Sequence, residues 1–531
     1  MSRRVNRSVG SRTWSVLLSV LASTPTWATP AEVEFSVPAS APTTRAPFDG
    51  SNLAPGVDSV VALGDSLLAG FASGGLVESV QRSSIAARLA QALAASGSAL
   101  SAFEQPLVSE PGIPPLLELV DISPLTIVRR PGAGQPLNGD LDRPFDNLAV
   151  PGFEVGDALR TPSGNPLAEL VLRGRGTMLE QALERDADLV LVWLGNSDAL
   201  SALTSGVVIE GVTLTPLDAF RADLRELVAS LTGSGARVVL LELPTRFDEA
   251  PFVTYLAPVV TDLDTGYPVL DHGETVPLLG PDGPLGSDDR VLMTAIAPLR
   301  SGLGIPAAHG GTDTPLPNTV VLSAAERAAI RARLDDYNRE IRSAARDFGA
   351  LVSAEPARAF DDAAAHWREA GCPVGAEAQP FGRLFSLDSI HPSAQGYGVL
   401  ANALLEDLRP WTGALPITQT EELCLGGRFV ATARWTAAEG EAGTGHPVSV
   451  SGDSGHFWFF DRANVELTVK VLDGCGVTNS FWVFAGGLTD LGVELEVTDT
   501  STGASRIYES APGSPFAPVV DIAAFATCDE P

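Results

Sequence analysis

Val57-Asp58-Ser59-Val60-Val61-Ala62-Leu63-Gly64-Asp65-Ser66-Leu67 is the stretch on which the fold turns. Its first part is a short apolar run with β-branched residues, the pattern of a buried strand. Gly64 and Asp65 break that run, and Ser66 opens a helical region in which Ile85, Leu89 and Leu93 recur at helical spacing. A strand feeding a helix through a tight turn is the unit of an α/β sheet, and ligands in such sheets gather beyond the carboxyl ends of the strands. A serine at that point is held by rigid backbone, with its own N–H free to face an oxyanion.

The same alternation continues downstream. Leu189 to Leu194 is wholly apolar, as expected for a parallel strand covered on both faces. Thr215-Pro216-Leu217-Asp218 reads as a helix start with Thr215 as capping hydroxyl. Phe220, Leu224, Leu227 and Leu231 form the apolar stripe of that helix. Gly233 and Gly235 end it, and Val238 to Leu243 is the next strand. Ser323-Ala324-Ala325-Glu326 is a capping box that opens a long helix ending near Gly349, with a further strand at Leu351 and Val352. The pattern predicts an α/β domain over 56–412 with a mostly parallel sheet. Between about 245 and 320 the alternation lapses into a Pro- and Gly-rich insert, expected to wall the substrate site.

After Pro410 helical periodicity gives way to short alternating runs, Val465-Leu467-Val469 and Val493-Leu495-Val497. An all-β, sandwich-like region is expected over 420–531. Its aromatic cluster, His456 to Phe460 with Phe481, Trp482 and Phe484, is expected to face a core at every second residue. A carbohydrate- or surface-binding patch is the alternative. The four cysteines, Cys372, Cys424, Cys475 and Cys528, permit three complete pairings. A bridge between Cys424 and Cys528 would staple the first β strand to the last.

The 531 residues favour more than one domain, and 45% hydrophobic with 19% charged residues is ample for a core. A net charge of −30 argues against a nucleic-acid partner, since little would neutralise phosphates. Arg3, Arg4, Arg7 and Arg12, the apolar Trp14 to Ala22 and the small residues around Thr26-Trp27-Ala28 have the layout of a cleavable signal peptide over 1–28. A Pro-, Ala-, Thr- and Ser-rich linker follows over 29–55. The expected location is secreted or periplasmic, without a stable membrane span.

Four segments carry chemistry. Gly64-Asp65-Ser66-Leu67 supplies a nucleophile. Asp388-Ser389-Ile390-His391-Pro392 supplies a base, with a carboxylate three residues before the histidine to orient it. Asp453 and His456 share that spacing but lie in the β region, away from any strand-to-helix serine. Asn147-Leu148-Ala149-Val150-Pro151-Gly152 offers the unhindered N–H of Gly152. Gly195-Asn196-Ser197-Asp198 offers a side-chain donor after an apolar strand.

Together, and in this order, these segments resemble the SGNH, or GDSL-type, hydrolases over about residues 55–410. Gly74-Gly75-Leu76, Thr177-Met178-Leu179 and Ser386-Leu387-Asp388 make the chain similar to the secreted bacterial members. The resemblance implies a flavodoxin-like α/β/α sandwich and ester hydrolysis without metal or cofactor. It implies Ser66 as nucleophile, His391 as base and Asp388 as its orienting acid. The N–H groups of Ser66 and Gly152 would form the oxyanion hole. The family's third donor is an Asn; here Ser197 stands in that position with Asn196 one residue earlier, and either is a candidate. The substrate would be a lipid, short-acyl or acetylated-carbohydrate ester. The rival reading is a non-enzymatic surface or carbohydrate-binding protein with an inactive hydrolase domain.

Overall fold

The computed structural model describes residues 57–528, apart from 97–99, 101, 123–124, 263–266, 368–379, 413–421, 426–427, 452 and 461–463. The expected signal peptide and linker, Cys372 and the side chain of Cys424 lie outside the described residues.

The core is a parallel sheet of β1 (Val60–Gly64), β2 (Leu189–Trp193), β3 (Arg237–Leu241) and β4 (Leu351–Ser353), adjacent in that order. Every residue of β1 and β2 is buried, which is why both read as unbroken apolar runs. The free edge of β1 is taken by residues 146–150. The Ala62 N–H donates to the Asp146 carbonyl at 2.8 Å, Leu148 to Ala62 at 2.8 Å and Val150 to Gly64 at 2.9 Å. Counted with this edge segment, the chain runs second-first-third-fourth-fifth across the sheet, the flavodoxin-like order. The reversal point lies between β1 and its two neighbours, so the segments leaving 146–150, β1 and β2 meet in one crevice.

Around the sheet lie α1 (Ser66–Ala69), α2 (Ile85–Ala95), α3 (Met178–Arg185), α4 (Ser197–Ser205), α5 (Leu217–Gly233), α6 (Ala324–Phe348), α7 (Glu355–Ala365) and α8 (Ala394–Thr412). Helix α8 packs on α2 and α7, while α5 packs on α3 and α6, giving a layer on each face. The expected stripe of α5 is buried in full. Its expected cap is not formed. Pro216 occupies the cap position without a side-chain bond, and Thr215 instead donates its N–H to the Asp198 carbonyl at 2.9 Å. The capping box of α6 is present: Glu326 N–H reaches the Ser323 hydroxyl, the Ser323 N–H reaches Glu326, and the helix stops at Gly349 with φ 73°.

The 245–320 insert is more ordered than its composition suggests. It folds into two-residue hairpins, Leu270–Asp271 with Glu274–Thr275 and Leu279–Gly280 with Gly283–Pro284, around its own apolar cluster of Leu256, Val276, Leu278, Val291 and Leu316. Strands of two residues are too short to show a period. The insert is anchored by the buried Asp248 carboxylate, which accepts from Arg327 at 2.7 Å and Arg331 at 2.8 Å. A further hairpin outside the insert, Leu117–Ile122 with Leu125–Arg129, is half-exposed on both strands and left no clear alternation to read.

From Glu422 onward two antiparallel sheets of five strands enclose a separate apolar cluster that includes Leu423, Phe429, Phe457, Val469, Val483 and Leu495. Phe457 and Phe459 point inward, while Phe460 is exposed, as alternation requires. His456 lies on the strand Ser454–Trp458, and Asp453 pairs with Lys470. Cys528 is bridged to Cys475. The Cys424 partnership is therefore overturned. The last strand, Val519–Phe525, adds to Phe481–Gly487 in one sheet, which carries Cys528 toward Cys475, whereas Cys424 belongs to the opposite sheet.

Candidate active site

The site assembles at the carboxyl ends of β1 and β2. Asp65 caps α1 by accepting the Leu67 N–H at 3.1 Å, and its own N–H donates to the Trp193 carbonyl at 3.3 Å. That fixes Ser66 as the first residue of α1, where the N–H has no intrahelical partner. Ser66 is almost fully buried, and its hydroxyl makes no hydrogen bond among the described residues.

Asp65 does more than cap. Its other oxygen accepts from Asn196 Nδ2 at 2.9 Å, and the Ser197 N–H also faces the carboxylate. Burial pushes the Asp65 carboxyl up to about 6, against the lowering pull of Asn196, Leu67 and His391. Asn196 is thus held against Asp65, with its Oδ1 buried and unpartnered. The Ser197 hydroxyl makes no such bond among the described residues. Of the two candidate side-chain donors, the Asn196 amide is already engaged within the protein and the Ser197 hydroxyl is not.

Gly152 follows the edge segment in a turn with φ 87°, and the space a Cβ would fill there is open. This turn is tied to its neighbour: the Val155 N–H donates to Asp198 Oδ2 at 3.0 Å. Asn147 joins the edge segment to α1, donating to the Leu68 carbonyl at 3.1 Å and accepting the Ala149 N–H at 3.1 Å. Burial, followed by the nearby Glu154, raises the Asp198 carboxyl well above its ordinary value.

Asp388 and His391 sit on the loop before α8. Asp388 Oδ1 accepts the N–H groups of Ile390 at 3.1 Å and His391 at 2.8 Å. Oδ2 accepts Gly74 N–H at 2.9 Å and meets His391 Nδ1 at 3.1 Å. Burial alone would raise this carboxyl, but His391 and the N–H donors outweigh it and hold Asp388 below its ordinary value. With Nδ1 turned to Asp388, Nε2 is the ring nitrogen left to accept a proton. The Phe71 ring stands edge-on to the imidazole at 4.9 Å, and the Phe71 N–H donates to the Ser66 carbonyl at 3.2 Å. Phe71 therefore touches both the serine turn and the histidine. A direct bond from Ser66 to His391 is not formed in this structure; such bonds tighten when substrate binds.

Beyond the backbone geometry, a family model for GDSL-like lipases/acylhydrolases matches residues 60–404. The chain belongs to that family. Its members are carboxylic ester hydrolases, and this GDSL hydrolase is an enzyme of that class. Among solved structures it is similar to a variant of an acetyl xylan esterase from Geobacillus stearothermophilus, at 13% identity and a TM-score of 0.32 over 68% of this chain and 97% of that one. It is also similar to phospholipase A1 from Streptomyces albidoflavus, at 16% identity and a TM-score of 0.30 over 66% of this chain and 99% of that one. A third is the esterase EstA from a Pseudoalteromonas species, at 13% identity and a TM-score of 0.29 over 67% of this chain and 99% of that one. No curated protein sequence matches the chain.

In this GDSL hydrolase several residues around the site escaped sequence reasoning. Tyr397 is fully buried on α8, and its hydroxyl donates to the carbonyls of Phe71 at 2.6 Å and Ser66 at 3.3 Å. Its place six residues after His391, on the apolar stripe with Leu400 and Leu404, was the only available signal. Asp65, Asn147 and Gly74 stand in segments the sequence singled out, but the partners they bond, Asn196, Leu68 and Asp388, lie far away in sequence and were not legible there.

Proposed function

We propose that this chain is an exported carboxylester hydrolase working through Ser66, His391 and Asp388. The observation that carries the reading is the Asp388 carboxylate. It is satisfied by three N–H groups and the His391 ring, on a loop that shares Phe71 with the Ser66 turn. In the proposed cycle Ser66 Oγ attacks the ester carbonyl carbon while His391 Nε2 takes its proton. The imidazolium, steadied by Asp388, then gives that proton to the departing alkoxide, and the acyl group stays on Ser66. Water repeats the sequence: His391 takes a proton from it, hydroxide adds to the acyl carbon, and Ser66 leaves with the proton as the acid is released.

The developing oxyanion is met by the N–H groups of Ser66 and Gly152, with the Ser197 hydroxyl as third donor. The engagement of Asn196 with Asp65 supports Ser197 over Asn196. Losing one such donor typically costs about a hundred- to a thousand-fold in rate. Export rests on the layout of residues 1–28. Lipid, short-acyl and acetylated-carbohydrate esters all remain in the proposed substrate range, with glycan or surface contact by the C-terminal β region.

The test is turnover of a simple nitrophenyl ester. Ser66→Ala abolishes it while the far-ultraviolet circular dichroism is unchanged. Undiminished turnover in a folded Ser66→Ala protein overturns the reading of Ser66 as nucleophile, whereas a folded wild-type chain that turns over no ester leaves the rival, a binding protein, in its place.

A further inference from the structure

Two non-glycine residues next to the site hold a left-handed backbone, Ser73 at φ 50° and Ser389 at φ 65°. Such conformations are unfavourable for a residue with a side chain and persist where their surroundings over-determine them. Here the surroundings are a clasp between two loops more than three hundred residues apart in sequence. The Ser73 N–H donates to Ser386 Oγ at 2.7 Å, and the Leu387 N–H donates to Ser73 Oγ at 3.2 Å. Each serine hydroxyl thus accepts from the backbone of the other loop. The next peptide along delivers the Gly74 N–H to Asp388 Oδ2, the same oxygen that meets His391 Nδ1.

Ser386 also frames the acid–base loop through its backbone. Its N–H donates to the His391 carbonyl at 2.9 Å, and its carbonyl accepts the Ser389 N–H at 2.8 Å. Ser386 itself is only 7% exposed, so water is a poor substitute for its hydroxyl. Both hydroxyls are spent on backbone N–H groups of the opposite loop. Both set the direction of the peptide that holds Asp388.

We propose that Ser386 and Ser73 are positioning residues for ester hydrolysis: their crossed hydrogen bonds orient the Gly74 N–H on Asp388, and so hold His391 in register with Ser66. The proposal rests on the triad reading above. Without Ser386 Oγ, the part-buried Ser73 N–H loses its acceptor, the Ser73-Gly74 peptide is free to turn, and Asp388 loses one of its donors.

The experiment is steady-state hydrolysis of a nitrophenyl ester by the full chain, with thermal melting of the same samples. Ser386→Ala is expected to lower kcat about ten- to a hundred-fold at unchanged KM, the rate equivalent of one part-buried donor left unpaired. Ser386→Thr keeps the hydroxyl and recovers most of the rate. Ser73→Gly accepts the left-handed backbone without cost, removes the other hydroxyl and lowers kcat without lowering the melting temperature. Wild-type kcat in Ser386→Ala overturns the proposal. So does a Ser386→Thr protein as slow as Ser386→Ala, or a loss of kcat that follows loss of folded protein in both Ser386→Ala and Ser73→Gly. Ser66→Ala run alongside separates the two readings. If it is inactive while Ser386→Ala is at the wild-type rate, only the clasp falls. If Ser66→Ala is itself fully active, the nucleophile assignment falls and takes the clasp with it.

Discussion

Carboxylates with opposite environments surround Ser66. Asp388 is buried but supplied with N–H donors and a histidine, and its carboxyl is held low. Asp198 is more deeply buried, has one oxygen without a partner among the described residues and faces Glu154, and its carboxyl is driven high. The sign of its contribution follows. A folded-state pKa above the unfolded value favours the neutral acid in the fold, so the stability Asp198 contributes is fully present below the unfolded pKa and is lost as pH rises through the folded one. Asp198→Asn keeps an oxygen for the Val155 N–H and cannot ionise. Its melting temperature relative to wild type is therefore expected to climb as pH rises from about 4 to about 8, ending about 2–4 °C ahead for each kcal/mol relieved. A constant offset across that range contradicts this account of Asp198.

At the scale of elements, legibility followed burial and length. Strands β1 and β2 were readable because both of their faces are covered, and α6 because its capping box is local in sequence. Ser323→Ala should cost about 1 kcal/mol, read as a lower urea midpoint at unchanged slope. No change would mean that the Ser323 and Glu326 bonds do not hold that terminus. The edge segment 146–150 was not legible as part of the sheet, since it joins β1 by a few backbone bonds and carries Pro151 and Gly152 immediately after. Yet this segment places Val150 on Gly64, two residues before Gly152 on one strand and two before Ser66 on the other. The order of the four motifs along the chain signalled a shared site. Which donor groups are spent inside the protein, as Asn196 is on Asp65, depends on contacts between residues far apart in sequence and became visible only in the structure.

Among the described residues two principal apolar clusters share no residue, one around the parallel sheet and one between the antiparallel sheets, beside the smaller one of the insert. The only disulfide among the described residues lies in the second and closes a separation of 53 residues. A loop of that size stabilises by about 4 kcal/mol on the chain-entropy account. Cys475→Ser should therefore lower the melting of the β region and leave ester hydrolysis at the wild-type rate; a matching loss of activity would show that the two clusters depend on one another. The central claim, that Ser66 is the nucleophile, is tested most directly by treating the full chain with a nitrophenyl phosphonate and mapping the adduct by peptide mass. The account predicts one phosphonyl group per chain, on Ser66, in proportion to the activity lost. Inactivation with the adduct on another residue, or stoichiometric labelling of Ser66 with activity intact, would contradict it.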